Sequence, residues 1–254
     1  MRGLAGKVMV VAGGAGGIGA ATSTRLAEEG ASVVVADIDG ADAEGVVQRI
    51  HDHGGTATAV QFDISDESSV GAVFDATIDA YGGLDGVHIN AADLTGNAGK
   101  DDNIVDIDLA MFDHTLAVNL RGHLLVARHA VPLLLQRGGG AMVFTSSGAA
   151  FTGGPERAAY AVSKSGVNSL VRHVASRWGK EGIRGNGVAP GLVLTDRVVG
   201  KFNEDARRGA LAQTRSTRLG SGDDIAAMVA FLLSDDGAWV NGQIISVDGG
   251  ALLR

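Results

Sequence analysis

The sequence predicts one α/β domain, a doubly wound, seven-stranded parallel sheet flanked by helices, and three observations carry that prediction. Short β-branched runs alternate with longer amphipathic stretches along the chain, the pattern of repeated βα units. A glycine-dense turn, Gly13 to Gly19, joins the first run to the first amphipathic stretch. At 254 residues with 45% apolar side chains, the chain can bury one large core.

Lys7–Ala12 opens the sheet, and Ile18–Glu29 is the first helix after the glycine turn. Ser32–Ala36 and Thr58–Phe62 are the next strands, separated by the amphipathic stretch Ala41–Asp52. Glu67–Tyr81 leads into Gly86–Ile89, and the long stretch Leu109–Gln136 reads as one helix before strand Ala141–Thr145. Ala158–Lys180 precedes Arg184–Val188, and Asp223–Leu233 precedes the seventh strand, Gln243–Val247. Val193 to Gly222 breaks the alternation, being polar without a clear strand, and is expected to form a lid. In it Arg197, Lys201, Arg207, Arg208, Arg215 and Arg218 outnumber Asp196, Glu204 and Asp205. A solvated helix is the preferred reading of that excess, an anionic substrate the other.

Composition narrows the function. Glycine, at 39 residues, is far above the usual ~7% of a chain, which implies many tight turns and close backbone approaches. A net charge of −8 without a basic stripe argues against nucleic acid. The absence of cysteine removes disulfides, thiolate chemistry and cysteine-ligated zinc, and is compatible with the cytoplasm. No segment approaches ~20 apolar residues, so no membrane partner is expected. His51 and His53 flank Asp52 at a helix end, where imidazoles sit well against the dipole; the other histidines lack ligand spacing, and no metal is expected.

The glycine turn sits between a strand and a helix, the context in which backbone N–H groups at a helix N-terminus receive a pyrophosphate. Its string fits G-x-G-x-x-G from Gly14 and equally G-x-x-x-G-x-G from Gly13. Asp37 follows Gly19 by eighteen residues, where a carboxylate accepts hydrogen bonds from the adenosine ribose and repels a 2′-phosphate, so NAD is favoured over NADP. Tyr160 and Lys164 are four apart on one predicted helix, close enough for the ammonium to stabilise the phenolate and draw the tyrosine from its ordinary pKa of about 10 toward neutrality. Only two tyrosines exist, Tyr81 and Tyr160, and this one follows Ser146-Ser147 at the end of a strand. The implied activity is a nicotinamide-dependent oxidoreductase.

These residues jointly make the chain resemble the short-chain dehydrogenase/reductase family over essentially its whole length, with the Rossmann-type domain that family has. Gly13, Gly17, Ile18 and Gly19 match its T-G-x-x-x-G-I-G turn, with Ala12 in place of threonine. The resemblance implies that Asp63 and Ile64 lie at the adenine, that Asn90 and Ala91 belong to the N-N-A-G motif, and that Pro190, Gly191, Val193 and Thr195 form the segment that touches the nicotinamide carboxamide. It further implies catalytic roles. Tyr160 would be the general acid/base, Lys164 would hold the nicotinamide ribose, Ser147 would bond the carbonyl oxygen, and Asn119 would anchor a water in the proton path. Asp248-Gly249-Gly250 resembles a segment that packs between subunits, which implies a homotetramer. Ile89, Ala92, Gly185 and Gly187 depart from the family's pattern.

The activity implied is interconversion of a secondary alcohol and a ketone. An NADH-dependent 3-oxoacyl-type reductase and a non-catalytic dinucleotide-binding sensor are the alternatives; the short Tyr160–Lys164 spacing counts against an enoyl reductase or epimerase. Leu94, Phe151, Leu192, Val198 and Phe202 suggest an apolar pocket.

Overall fold

The computed structural model describes residues 1–94, 101–195 and 203–253. Asp196, Arg197, Val198, Lys201 and Phe202 lie outside the described residues. Its order is β1 (Val8–Ala12), α1 (Gly17–Glu28), β2 (Ser32–Asp37), α2 (Gly40–Asp52), β3 (Thr56–Gln61), α3 (Glu67–Tyr81), β4 (Gly86–Ile89), α4 (Leu109–Leu116) and α5 (Gly122–Gln136). Then come β5 (Gly140–Thr145), α6 (Ala158–Trp178), β6 (Ile183–Pro190), β7 (Val193–Leu194), α7 (Glu204–Ala212), β8 (Gly220–Ser221), α8 (Gly222–Leu233) and β9 (Ile244–Val247).

Seven strands form one sheet in the order β3-β2-β1-β4-β5-β6-β9, every neighbouring pair parallel. Helices cover both faces, so β1 is buried at all five residues rather than alternating. Val10 and Ala12 face a core built with α3, α5 and α6, while Met9 and Val11 face one built with α1, α2 and α8. The chain starts in the middle of the sheet and winds outward both ways. The order therefore reverses between β1 and β4, and the crevice beyond their carboxyl ends is where such sheets bind ligands.

Four expectations need correction. The stretch Leu109–Gln136 is helical but not one α-helix: a π-helical turn, Ala117–Arg121, interrupts it, with Gly122 N–H bonded to Ala117 C=O. One wide turn is a single-residue irregularity in a long helical stretch, too local for a periodicity read over the whole stretch to reveal. The Val193–Gly222 segment does contain regular structure, since β7 pairs with β8 and α7 lies between them. These strands are two residues long, too short for a β-branched pattern. Strand ends also shift: β3 starts at Thr56 and stops before Phe62, β6 extends to Pro190, and Lys7 and Gln243 fall outside. Finally, α6 ends at Trp178, where a 3-10 turn over Gly179–Glu181 takes up Lys180.

Gly185 and Gly187 have a packing reason. A Cβ on Gly185 would lie 2.8 Å from Val174 Cγ1, so α6 sits closer to β6 than any side chain there allows.

Candidate active site

The crevice is built around the end of β1. Ala12 C=O accepts the N–H groups of Asn90 and Ala91, both at 2.8 Å, which ties β4 to the glycine turn. Gly13 takes φ +85°, open to glycine at little cost, and its N–H donates to Ala36 C=O at 2.7 Å. A Cβ on Gly19 would overlap the carbonyl oxygen of Gly13 and come within 3.0 Å of Asn90 Nδ2. Gly13, Gly17 and Gly19 thus each call for glycine, by conformation or by backbone contact, and so does Gly14, where a Cβ would lie 2.8 Å from Val11 C=O. Thr195 lies over this turn, its methyl 2.9 Å from where a Gly17 side chain would begin.

Asp37 closes β2 and is buried, with one oxygen accepting Ala15 N–H at 2.9 Å and the other Asp39 N–H at 3.2 Å. It shapes the turn as well as facing the crevice. Beside it a shallow depression is lined by Ile38, Asp39, Gly40, Ala41 and Gln61. Asp63 is exposed and engages Ser65 N–H and Oγ, whereas the Ile64 side chain is buried in the core against Gly122. Of Ile64, only the backbone is left for a ligand.

The other wall carries the predicted catalytic row. Ser147 follows β5 by two residues in an extended conformation and caps the 3-10 turn Gly148–Ala150, its Oγ accepting Ala149 N–H at 3.2 Å. The hydroxyl proton is thus left to donate elsewhere. Lys164, one helical turn beyond Tyr160, is 1% exposed and donates from Nζ to Thr145 C=O at 2.8 Å. Its Nζ lies 5.8 Å from the centroid of the half-exposed Tyr160 ring. Burial lowers the Lys164 ammonium to about 7. One donor of three is spent, leaving two for neighbours.

Thr145 is a junction. Its carbonyl holds Lys164, while its hydroxyl donates to Asn90 Oδ1 at 3.0 Å, and Asn90 Nδ2 donates to Gly13 C=O at 2.9 Å. His88 Nε2 lies 2.9 Å from the same hydroxyl oxygen. Since the hydroxyl proton goes to Asn90, His88 must carry its proton on Nε2. His123 is also fully buried, with Nε2 3.0 Å from Ala91 C=O. Burial pushes both imidazoles down to about 3, helped at His123 by the Lys164 charge.

Asn119 sits in the π-helical turn with both ends of its amide on one residue: Oδ1 accepts Asp93 N–H at 2.7 Å and Nδ2 donates to Asp93 C=O at 3.1 Å. Its side chain thereby fixes the loop after β4. Pro190 and Gly191 end β6, where Gly191 N–H bonds Val247 C=O at 3.1 Å, and Val193 is buried in β7. Asp248-Gly249-Gly250 lies against the segment Thr214 to Ser216 of the same chain, with Arg215 N–H on Gly249 C=O at 2.8 Å. Just beyond it, Leu252 reaches Gly148, within 3.2 Å of where a side chain there would begin. The C-terminal segment thus borders the site.

Two residues missed in the sequence stand beside Tyr160. Asp101 is buried, its carboxylate accepting Ala159 N–H at 2.9 Å and Tyr160 N–H at 3.0 Å. Arg157, at the N-cap of α6, holds its guanidinium carbon 4.2 Å from the Tyr160 ring centroid. Only the three-residue spacing of Arg157 from Tyr160 could have flagged it. Among the described residues no group of three His, Asp or Glu could hold a metal; His51 and His53 bond the carbonyls of Ala57 and Arg49 instead. No described helix is long and apolar enough to cross a membrane.

A family model described as enoyl-(acyl carrier protein) reductase matches residues 13–251. A probable short-chain type dehydrogenase/reductase of Bradyrhizobium diazoefficiens is 41% identical over 247 residues, spanning 97% of this chain and 88% of that protein. The cis-4-hydroxycyclohexanecarboxylate dehydrogenase of Sinomonas cyclohexanicum is 37% identical over 245 residues, spanning 96% of each. Among solved structures, a 7 alpha-hydroxysteroid dehydrogenase complexed with NADH and 7-oxo glycochenodeoxycholic acid matches with a TM-score of 0.92 at 33% identity, covering 99% of this chain and 96% of that one. Likeness of this extent, in sequence and in fold together, makes the chain a member of the short-chain dehydrogenase/reductase family and an oxidoreductase acting on CH–OH groups.

Proposed function

We propose that the protein is an NAD-dependent dehydrogenase interconverting a secondary alcohol and a ketone, with Tyr160 as general acid/base. The observation that carries this reading is the buried Lys164, held by Thr145 C=O one helical turn from a half-exposed Tyr160. The cofactor fits the residues present. Gly13, Gly17, Ile18 and Gly19 make a turn open to a pyrophosphate, Asp37 faces the ribose position, Asp63 and the Ile64 backbone the adenine, Asn90 and Ala91 the crevice floor, and Pro190, Gly191, Val193 and Thr195 its far wall.

Bound NAD would supply the hydride acceptor. In alcohol oxidation the Tyr160 phenolate takes the proton of the substrate hydroxyl as the carbonyl forms. Ser147 would donate its free O–H to that oxygen, and the spare N–H groups of Lys164 would meet the nicotinamide ribose. Asn119 holds the loop from which the proton path would lead outward. Residues 193–222 act as the lid, and a cytoplasmic homotetramer is the setting we expect for this one-domain chain.

The substrates named for two relatives are a cyclic alcohol and a ring ketone, which supports a cyclic secondary alcohol or ketone here. The single-turn spacing of Tyr160 and Lys164 favours carbonyl chemistry over enoyl reduction. Reduced-nicotinamide absorbance with NAD and a panel of cyclic secondary alcohols tests the reading. Turnover lost in Tyr160→Phe, with NADH still bound, supports it; a Phe variant keeping most of its turnover removes Tyr160 from the role.

A further inference from the structure

We infer that Arg157 is an anion-binding residue of this active site, and that the preferred substrates are secondary alcohols or ketones carrying a carboxylate a few bonds from the carbinol carbon. The inference deepens the function proposed above and rests on it.

Arg157 is held where an arginine is not at ease. It is the one residue other than glycine with positive φ among those described, at +66°, a conformation that side-chain-bearing residues seldom adopt. The backbone is fixed there, with Arg157 N–H on Asp101 C=O at 3.0 Å and Ala161 N–H on Arg157 C=O at 3.0 Å. The guanidinium is laid on the Tyr160 ring, its carbon 4.2 Å from the centroid, an arrangement that orients the plane of the fork. Its Nε is buried without an acceptor.

The charge is not spent on an acid. No described carboxylate forms an ion pair with Arg157. Asp101, its neighbour in space, has given both carboxylate oxygens to the N–H groups of Ala159 and Tyr160. The lid arginines differ: Arg218 makes two 2.7 Å bonds to Asp224, Arg208 pairs with Asp205 at 3.4 Å, and Arg215 donates to the carbonyls of Gln213 and Thr214. Arg157 is therefore a cation that is preorganised, without an acidic partner among the described residues, and laid against the Tyr160 ring. A planar guanidinium matches a carboxylate through two parallel N–H bonds, and a neutral ester or amide cannot reproduce the charge.

The test uses two acid–ester pairs, 4-oxocyclohexanecarboxylate and acetoacetate with their methyl esters, offered to the enzyme with NADH. Equilibrium binding to the enzyme–NADH complex and steady-state reduction are both measured. The neutral variant is Arg157→Asn, because asparagine tolerates positive φ; Arg157→Lys restores a charge without the fork. NADH affinity and thermal melting show that each variant is folded. We expect at least one acid to be preferred over its ester by tenfold or more in the native protein. In Arg157→Asn that preference falls at least tenfold, and Arg157→Lys recovers part of it. Acid and ester used equally, a preference that survives in Arg157→Asn, or no binding of either acid each overturns the assignment while leaving hydride transfer standing. Failure of the native protein to bind NADH removes the underlying function and the inference together.

Discussion

Asp101 holds Tyr160 from 59 residues away, one carboxylate oxygen accepting the tyrosine's backbone N–H at 3.0 Å and the other that of Ala159 at 2.9 Å. The cap of α6 thus comes from the loop after β4 and not from its own chain neighbour, Arg157, whose side chain makes no cap bond. Asp101→Ala leaves two buried donors without an acceptor. It should cost about 2 kcal/mol or more, a melting shift of roughly 4–8 °C for a chain of this size. It should also lower kcat more than NADH affinity, because the helix start moves and the glycine turn does not. Asp101→Asn keeps one acceptor and should recover part of both losses, as thermal melting and kinetics would show.

Asp37 serves the turn, and in the function proposed here it also meets the cofactor ribose. With Ala15 N–H on one oxygen, Asp37→Ala should lower kcat/KM for NAD at least tenfold and reduce the discrimination against NADP. Kinetics with both cofactors check this. The exposed neighbour Ile38 gives a second arm: adding Ile38→Arg should invert the preference, since a 2′-phosphate gains a cation where it had met a carboxylate.

His88 and His123 set an acid limit on stability. Their ordinary value is 6.5 and the folded value is about 3, so between those limits the unfolded chain takes up protons that the folded one refuses. Stability then rises with pH across that window and is lost as pH falls, by up to about 1.4 kcal/mol per pH unit for each group. Denaturant unfolding from pH 4 to 7 should show a slope near two protons, reduced by about one in His123→Gln.

Lys164 carries the opposite burden for function. Its folded value of about 7 lies below the ordinary 10.5, so the wild-type protein gains stability as pH rises through that interval. Lys164→Met should therefore melt higher than wild type at neutral pH and below, with the advantage shrinking toward pH 10. Its turnover should fall about a hundredfold or more, because the N–H donors proposed to hold the nicotinamide ribose beside Tyr160 are gone. Melting across pH and single-substrate kinetics would separate the two effects.

What was legible in the sequence follows from what is local. The seven parallel strands, the three glycines and the serine-tyrosine-lysine row depend on spacing within one βα unit, and all seven strands are found within a few residues of their expected limits. Asp101 was invisible because its partners are 58 and 59 residues distant. Arg157 was passed over because nothing in a string of residues gives the sign of φ. The π-helical turn is a single-residue irregularity too local for periodicity to show, and β7 and β8 are too short to have a period. Asn119 was found by its motif, but its grip on Asp93 could only come from coordinates.

Thr145, the last residue of β5, joins the glycine turn, through Asn90, to Lys164, so in the function proposed here affinity and chemistry share a single peg. A lineage altering this residue would disturb both at once and find no partial gain to select. The rim is under no such obligation: the C-terminal Leu252, packed near Gly148, does not join that chain of bonds. New substrate preferences in this scaffold are accordingly expected to arise at its edge, with the middle inherited unchanged.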